Sequence, residues 1–165
     1  MTRQHGFTLV ELMVTVIVAA ILLAVALPSF LDTIDRTRVV GAADNLLADL
    51  RYAQAAAMKT NAPVTVTFTA GANWQYVLAT TPAKVAAAAD YRGTALAVGA
   101  AVAAAANQMT FMPRRNTIVP APAESPARLV TITSARGRAL GLEVTPESAM
   151  RLCTTTAVTG YPPCN

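Results

Sequence analysis

Histidine, cysteine and charged side chains are scarce in this chain of 165 residues. The one histidine, His5, lies close to the N-terminus, so the rest of the chain cannot form the Ser-His or Cys-His pairs of nucleophilic catalysis. The two cysteines, Cys153 and Cys164, have no histidine or third cysteine nearby to complete a metal-ligand set. The acidic residues show no paired pattern for general acid–base work. We therefore predict no enzyme, no metal site and no cofactor.

Charged residues make up only 13% of the chain, and the formal net charge is +4. This mild excess does not by itself indicate a nucleic-acid partner. Hydrophobic residues reach 54%, and many stand in a run of twenty uncharged residues, Leu12 to Leu31. At helical rise, about 20 residues cross the hydrocarbon core of a bilayer. The remaining length leaves room for one domain.

Glu11 stands at the edge of this apolar run. A carboxylate deep in a bilayer costs about 2.5–3.5 kcal/mol, and one near the interface costs less. Such a residue is usually retained for a partner, so Glu11 is a candidate functional residue. Two other interpretations of the segment are open: a secretory signal peptide cleaved at Ala24-Val25-Ala26, and a plain single-span anchor. Neither explains Glu11.

The stretch Gly6-Phe7-Thr8-Leu9-Val10-Glu11, followed by an apolar helix containing Pro28, resembles the N-terminus of type IV prepilins. The resemblance implies that prepilin peptidase cuts after Gly6, so that residues 1–6 are a leader and Phe7 becomes the N-methylated mature N-terminus. It also implies that Glu11 pairs with the terminal amine of a neighbouring subunit, which fits the cost of burying either charge alone. Arg3 agrees with a cytoplasmic N-terminus.

The chain from residue 7 to about residue 60 is predicted to form one helix. Residues 7–31 are apolar all round, as in a membrane or filament core, whereas residues 32–62 continue as an amphipathic helix. Pro28 should kink the helix rather than end it, because the helical pattern resumes after it. Charged residues of the second part are expected to face solvent or neighbouring subunits: Asp35, Arg36, Arg38, Asp44, Asp49 and Arg51.

Residues 63–165 are predicted to form a globular β-rich head. Alternating patterns and turn signals predict strands at 64–69, 74–79, 108–112, 128–133, 140–145 and 149–153. Residues 82–107 are alanine-rich and predict a loop with short strand or helical pieces, and residues 114–116 and 120–126 predict a turn and a loop. Trp74 and Tyr76 are predicted to pack in the core. A long helix followed by an antiparallel sheet is an α+β fold.

The rest of the chain resembles the FimT/GspH class of minor pilins and pseudopilins. The resemblance lies in residues 43–64, in Phe111-Met112-Pro113-Arg114, and in Val144-Thr145-Pro146 with Arg151-Leu152-Cys153. It implies a single-pass protein of the bacterial inner membrane, with a periplasmic head and with other pilins or pseudopilins as partners. In that oxidising compartment Cys153 and Cys164 can form a disulfide worth about 3 kcal/mol; two free thiols are the alternative.

Three functions are compatible with this resemblance. The first is a minor pilin that acts in assembly or priming at the tip of a type IV pilus. The second is an H-type minor pseudopilin of a type II protein secretion system. The third is a DNA-binding minor pilin for natural transformation, because some FimT-like pilins carry Gly-Arg-x-Arg before the first C-terminal cysteine. Here residues 148–151 keep only Arg151, and Arg136-Gly137-Arg138 is similar one hairpin earlier. Arg136, Arg138 and Arg151 are therefore candidate DNA contacts, and solvated turn arginines are the alternative.

Overall fold

The computed structural model describes residues 8–113, 118–119, 127–145, 149–156 and 158–164. Contacts divide the chain into two units, Met1–Ile34 and Asp35–Asn165. The long helix α1, Leu9–Thr60, contributes residues to both units, which confirms the predicted long helix. The predicted leader, the turn at 114–116 and the loop at 120–126 lie outside the described residues.

The described part of unit Met1–Ile34 consists of Thr8 and the first part of α1. Of the helices in the described ranges, α1 alone is long and apolar enough to cross a membrane. The helix continues through position 28, as predicted, while the kink at Pro28 stays a prediction. The large apolar side chains from Leu9 to Leu31 are exposed, whereas Ile34 is half-buried.

Unit Asp35–Asn165 combines the second part of α1 with two antiparallel sheets. The first sheet has the strand order β3-β2-β1-β5-β6, and the second has the order β4-β7-β8-β9. The strands are β1 Val64–Thr69, β2 Gln75–Leu78, β3 Lys84–Ala87, β4 Thr94–Val98, β5 Gln108–Phe111, β6 Ile118–Val119, β7 Ala127–Ser134, β8 Ala139–Val144 and β9 Met150–Thr154. The predicted α+β fold is therefore confirmed.

The core of this unit forms between the apolar face of α1 and the inner faces of the sheets. Leu46 and Leu50, at helical spacing, are buried together with Val66 and Phe68 of β1, because alternate residues of a strand point to the same side. Trp74 is also buried, and its indole N–H donates to Oγ1 of Thr94 at 3.0 Å. The second part of α1 thus belongs to the folded head by its packing.

The alanine-rich stretch 82–107 contains more regular structure than the predicted loop with short pieces. It forms β3, a 3-10 helix at Ala88–Asp90, β4 and the short helix α2, Ala100–Ala104. β4 completes the second sheet by pairing with β7, which lies about 35 residues further along the chain. A strand held by such a distant partner has little local signal, particularly when alanine breaks its alternation. The two-residue strand β6 was not expected either, because two residues are too few to show an alternating pattern.

Candidate functional site

The N-terminal end of α1 carries an acidic residue in its first turn, Glu11. The backbone N–H of Glu11 donates to Oγ1 of Thr8 at 3.3 Å, and the N–H of Leu12 donates to the Thr8 carbonyl at 3.1 Å. The Leu12 bond is the first regular helical bond, while the Thr8 side chain satisfies one donor, the Glu11 N–H, that the start of a helix leaves unpaired. Thr-x-x-Glu is also the sequence pattern of a capping box, and the helix dipole favours a carboxylate here. This spacing is a sequence signal for a second, local role of Glu11.

The predicted processing residues Gly6 and Phe7 lie outside the described residues, so cleavage and N-methylation stay predictions. Glu11 is exposed. The large apolar side chains that follow it are exposed as well, from 74% at Leu9 to 49% at Leu31. A helix that is apolar on every side is suited to lipid or to the apolar helices of other subunits. This part of α1 is therefore a candidate membrane and assembly surface.

Arg151, on β9, pairs with a buried carboxylate on β8. Its Nε and Nη2 donate to Oε2 of Glu143 at 3.1 and 2.9 Å. Glu143 is fully buried, whereas the Arg151 side chain is 43% exposed. A buried carboxylate without a nearby cation carries a large desolvation cost, so the Arg151 guanidinium stabilises Glu143. The β8–β9 register places the two residues opposite each other, a pairing that the sequence analysis did not identify.

Cys153 and Cys164 form a disulfide, as predicted. Gly141 pairs with Cys153 in the β8–β9 register, and a Cβ at Gly141 would lie 3.2 Å from each sulfur. Glycine therefore lets the disulfide lie close against β8. A carboxylate oxygen of Glu143 and the two sulfurs lie within 4.8 Å of one another. Because the sulfurs are bonded to each other, these three residues do not form a set of metal ligands.

Arg136 and Arg138 flank Gly137 in the turn between β7 and β8. Gly137 has φ +78°, in the left-handed region that favours glycine. Oγ of Ser134 accepts from the backbone N–H groups of Arg136 and Arg138 at 3.3 and 3.1 Å, and it donates to Oδ2 of Asp35 at 2.6 Å. This contact fastens the turn to α1. Arg136 is exposed, while the half-buried Arg138 places its Nε 3.9 Å from the same Asp35 oxygen.

The three candidate DNA contacts do not lie in one patch. Arg136 and Arg138 precede the first residue of β8, whereas Arg151 lies opposite Glu143, close to the last residue of β8. Position 143 lies five residues after position 138, and five residues of a strand span about 17 Å. Arg151 also already binds Glu143. The structure therefore brings two of the three candidates together and leaves the third at the other end of the strand.

Asp49 contradicts the expectation that the charged residues of the helix face solvent or neighbouring subunits. It is 5% exposed, its Oδ2 accepts from the Tyr76 hydroxyl at 2.9 Å, and its Oδ1 binds the ammonium group of Lys84. Burial, together with the Asp49 carboxylate, raises the pKa of Tyr76 well above its ordinary value. The partners come from β2 and β3, so periodicity within the helix could not reveal this network. Other charged residues of this part are exposed, as expected: Arg36, Arg38, Asp44 and Arg51.

Two family models match the sequence. The model for type II transport protein GspH matches residues 42–156, and the model for the prokaryotic N-terminal methylation motif matches residues 1–27. The first match includes the later part of α1 and the nine strands described above. The second includes Thr8, Glu11 and most of the apolar run.

A similar protein is the type IV major alpha-pilin of Moraxella bovis, which is 36% identical to this chain over 64 residues. The match covers 39% of this chain and 40% of that pilin. The chain therefore spans less than half of the length of this relative. No solved structure matches the chain.

Proposed function

Because this chain belongs to the GspH family of type IV pilin-like proteins, we propose that it is a minor pilin that acts in assembly or priming at the tip of a type IV pilus. Prepilin peptidase removes residues 1–6 by cutting after Gly6, and Phe7 becomes N-methylated. Residues 7–31 then hold the protein in the inner membrane, and later in the filament core. Residues 32–62 continue the helix, residues 63–165 form a periplasmic head, and other pilins are the partners.

The observation that carries this proposal is an exposed apolar helix with a carboxylate in its first turn. Glu11 has no salt bridge within the ranges that the structure describes, so an ion pair in an apolar surrounding requires a cation from elsewhere. The terminal ammonium of a neighbouring subunit is a suitable group, because burying either charge alone is costly. An ion pair of this kind would also fix the register between packed helices.

Two substitutions separate the assembly role of Glu11 from its local role at the helix start. Glu11→Gln keeps the capping-box pattern, which accepts Glu or Gln at this position, but removes the charge. Glu11→Ala removes both. We expect both variants to be cleaved and inserted into the membrane, and both to be absent from sheared filaments. If Glu11→Gln enters filaments at the wild-type level while Glu11→Ala does not, the helix cap explains the residue and the subunit ion pair is wrong.

A second candidate is an H-type minor pseudopilin of a type II protein secretion system. The description of the matching family as a type II transport protein favours it, whereas the similarity to a type IV pilin favours the pilus. The same apolar helix and the same Glu11 would serve either assembly.

A clean deletion strain separates the two machines. We expect loss of pilus-dependent motility and normal secretion of exported enzymes. Loss of secretion with intact pili would assign the protein to the type II system and overturn the pilus proposal. DNA uptake should be scored in the same strain, and a complemented strain serves as the control.

A further inference from the structure

Five arginines come together where unit Asp35–Asn165 begins. Arg36 and Arg38 lie on α1, Arg92 lies between the 3-10 helix and β4, and Arg136 and Arg138 lie in the β7–β8 turn. We call this group the arginine cluster. All except Arg138 are exposed.

Hydrogen bonds from side chains and from the backbone connect these segments to one another and to the C-terminal part of the chain. Nη1 of Arg38 donates to the carbonyl of Arg92 at 3.2 Å. The carbonyl of the next residue, Gly93, accepts from the N–H of Ala135 at 3.0 Å, immediately before Arg136. Arg36 donates from Nη2 to the carbonyl of Thr159 at 2.9 Å. The cluster is therefore a built feature of three neighbouring segments of the fold.

Carboxylates near the cluster are fewer than the arginines. Asp35 accepts from Ser134 and lies 3.9 Å from Nε of Arg138, and Asp90 lies two residues before Arg92. Asp32 precedes them on α1 and has contacts of its own. Asp44, further along α1, accepts from the Tyr161 hydroxyl. Five arginines against four carboxylates leave a positive surface, and Arg136 is exposed in the turn.

The position of the cluster in the sequence points to its ligand. Arg36 and Arg38 follow Leu31, the end of the apolar run, by only five and seven residues. At a rise of about 1.5 Å per residue they lie about 7–10 Å further along α1. The headgroup layer outside each face of the hydrocarbon core is about 5–8 Å thick, and arginine can reach back along its aliphatic stem. Because so few residues separate Arg36 and Arg38 from the end of the apolar run, their side chains can reach the lipid phosphates when that run spans the core.

We propose that the arginine cluster binds the phosphates of anionic phospholipid headgroups at the membrane surface from which α1 emerges. The planar guanidinium matches phosphate with paired N–H donors, and each basic residue near an anionic surface adds to the attraction. The inference deepens the proposed function by naming a lipid partner for the membrane-bound stage, and it requires only that α1 spans the membrane. Duplex DNA is the competing ligand, but at this level it would meet the repulsion of the same headgroups.

The single tryptophan makes the proposal measurable. The Trp74 ring lies 6.0 Å from that of Tyr91, which directly precedes Arg92, so energy transfer from Trp74 to dansyl-labelled lipid headgroups reports how close the cluster is to the membrane. The mature full-length chain is placed in nanodiscs of phosphatidylcholine alone, or with one third phosphatidylglycerol. We expect greater transfer in the anionic discs, and loss of the increase at high salt because screening weakens the attraction.

Two variants test which arginines matter. The double variant Arg92→Gln/Arg136→Gln removes two of the four exposed guanidinium groups of the cluster. It should abolish roughly half of the increase in energy transfer that anionic lipid causes. Lys59→Gln removes one cation at the last turn of α1, far along the helix from the cluster, and should leave the increase intact. Equal transfer in both lipid compositions, or an equal loss in Lys59→Gln, would overturn the proposal.

The same discs test the competing ligand. A labelled duplex oligonucleotide is added to the phosphatidylcholine discs, where we expect no binding that depends on Arg92 and Arg136. Oligonucleotide binding that the double variant abolishes, without a lipid effect on transfer, would make the cluster a DNA site instead. The lipid and oligonucleotide results do not depend on which filament the protein joins. If they contradict lipid binding, the assembly proposal is unaffected. If the Glu11 variants contradict the assembly proposal, the lipid-binding proposal is likewise unaffected.

Discussion

The two parts of α1 have the same secondary structure but opposite relations to their surroundings. From Leu9 to Leu31 the large apolar side chains are exposed, by 49% or more. In the later part, Val39, Leu46 and Leu50 are buried to 1% exposure or less against the sheets. Apolar residues on every side require an apolar environment, whereas an apolar stripe requires one packing partner. The folded head supplies that partner for the second part, and in the proposed function lipid or other subunits supply it for the first.

The carboxylates of the head and of the first part of α1 also differ in their surroundings. Asp49 and Glu143 are buried, and each has a cation from its own unit, Lys84 and Arg151 respectively. Glu11 is exposed, next to an apolar surface. The head therefore neutralises these two buried charges internally, whereas Glu11 forms no salt bridge with any residue that the structure describes. Because Trp74 is buried in the head, its fluorescence or the near-ultraviolet circular dichroism measures how far the head is independent of the first part of α1.

The largest effect is expected from truncating the buried face of α1. Leu50→Ala removes a side chain of 0% exposure and should lower the free energy of unfolding of the head by about 2–5 kcal/mol. Leu22→Ala, at 65% exposure in the first part, should leave it unchanged. Denaturant titrations of the mature protein in detergent, followed by Trp74 fluorescence, measure both. A matching loss in Leu22→Ala would mean that the two parts of α1 are not independent.

Loss of the disulfide should have the second-largest effect on the free energy of unfolding of the head. Cys153 and Cys164 are 11 residues apart, and opening a loop of this length costs about 3 kcal/mol by the loop-entropy relation. Cys153→Ser/Cys164→Ser should therefore unfold at lower denaturant concentration, whereas the helical content of the first part of α1 should not change. Adding a reductant to the wild-type protein should reproduce the shift and have no effect on the double variant. An unchanged midpoint in both experiments would contradict the prediction.

The sequence predicted the elements whose signal is local. The strand β1 alternates Val64, Val66 and Phe68 with threonines, and its bounds match the structure. The strand β4 depends on a distant partner, β7, and its alanines hide the alternation. The same distinction applies to the sites. The Thr8–Glu11 spacing is readable within one helical turn, but the burial of Asp49 depends on groups brought to it by β2 and β3.

The ion pair between Arg151 and Glu143 should contribute less to the free energy of unfolding than the disulfide does. Removing one partner of a buried ion pair costs about 3–5 kcal/mol, but Arg151 is partly exposed, so water offsets part of the loss. Arg151→Gln should lower the free energy of unfolding by about 2 kcal/mol, and Lys59→Gln by less than about 0.5 kcal/mol. Adding Glu143→Gln to Arg151→Gln should restore part of the stability. No recovery in this double-mutant cycle would show that the ion pair is not the cause.

The smallest effect at neutral pH is expected at Tyr76. Tyr76→Phe removes the hydrogen bond to Asp49 but leaves Lys84 as a partner, so about 1 kcal/mol should be lost. At high pH the effect is different. Because the folded-state pKa of Tyr76 is raised above its value of 10.0 in the unfolded chain, only the unfolded state releases this proton as the pH rises past 10. Stability is therefore full below pH 10 and falls above it, by up to about 1.4 kcal/mol per pH unit.

Tyr76→Phe should make this decline shallower, while Tyr52→Phe, which changes a side chain of 51% exposure, should leave the slope as in the wild type. Tyr161, whose pKa burial also raises, accounts for a remaining slope in the same direction. Denaturant midpoints between pH 9 and 11 distinguish these cases. If Tyr76→Phe and the wild type decline in parallel, the hydroxyl does not stay protonated against Asp49. The contact that ties α1 to the first sheet would then owe its stability to the Asp49–Lys84 ion pair rather than to the tyrosine.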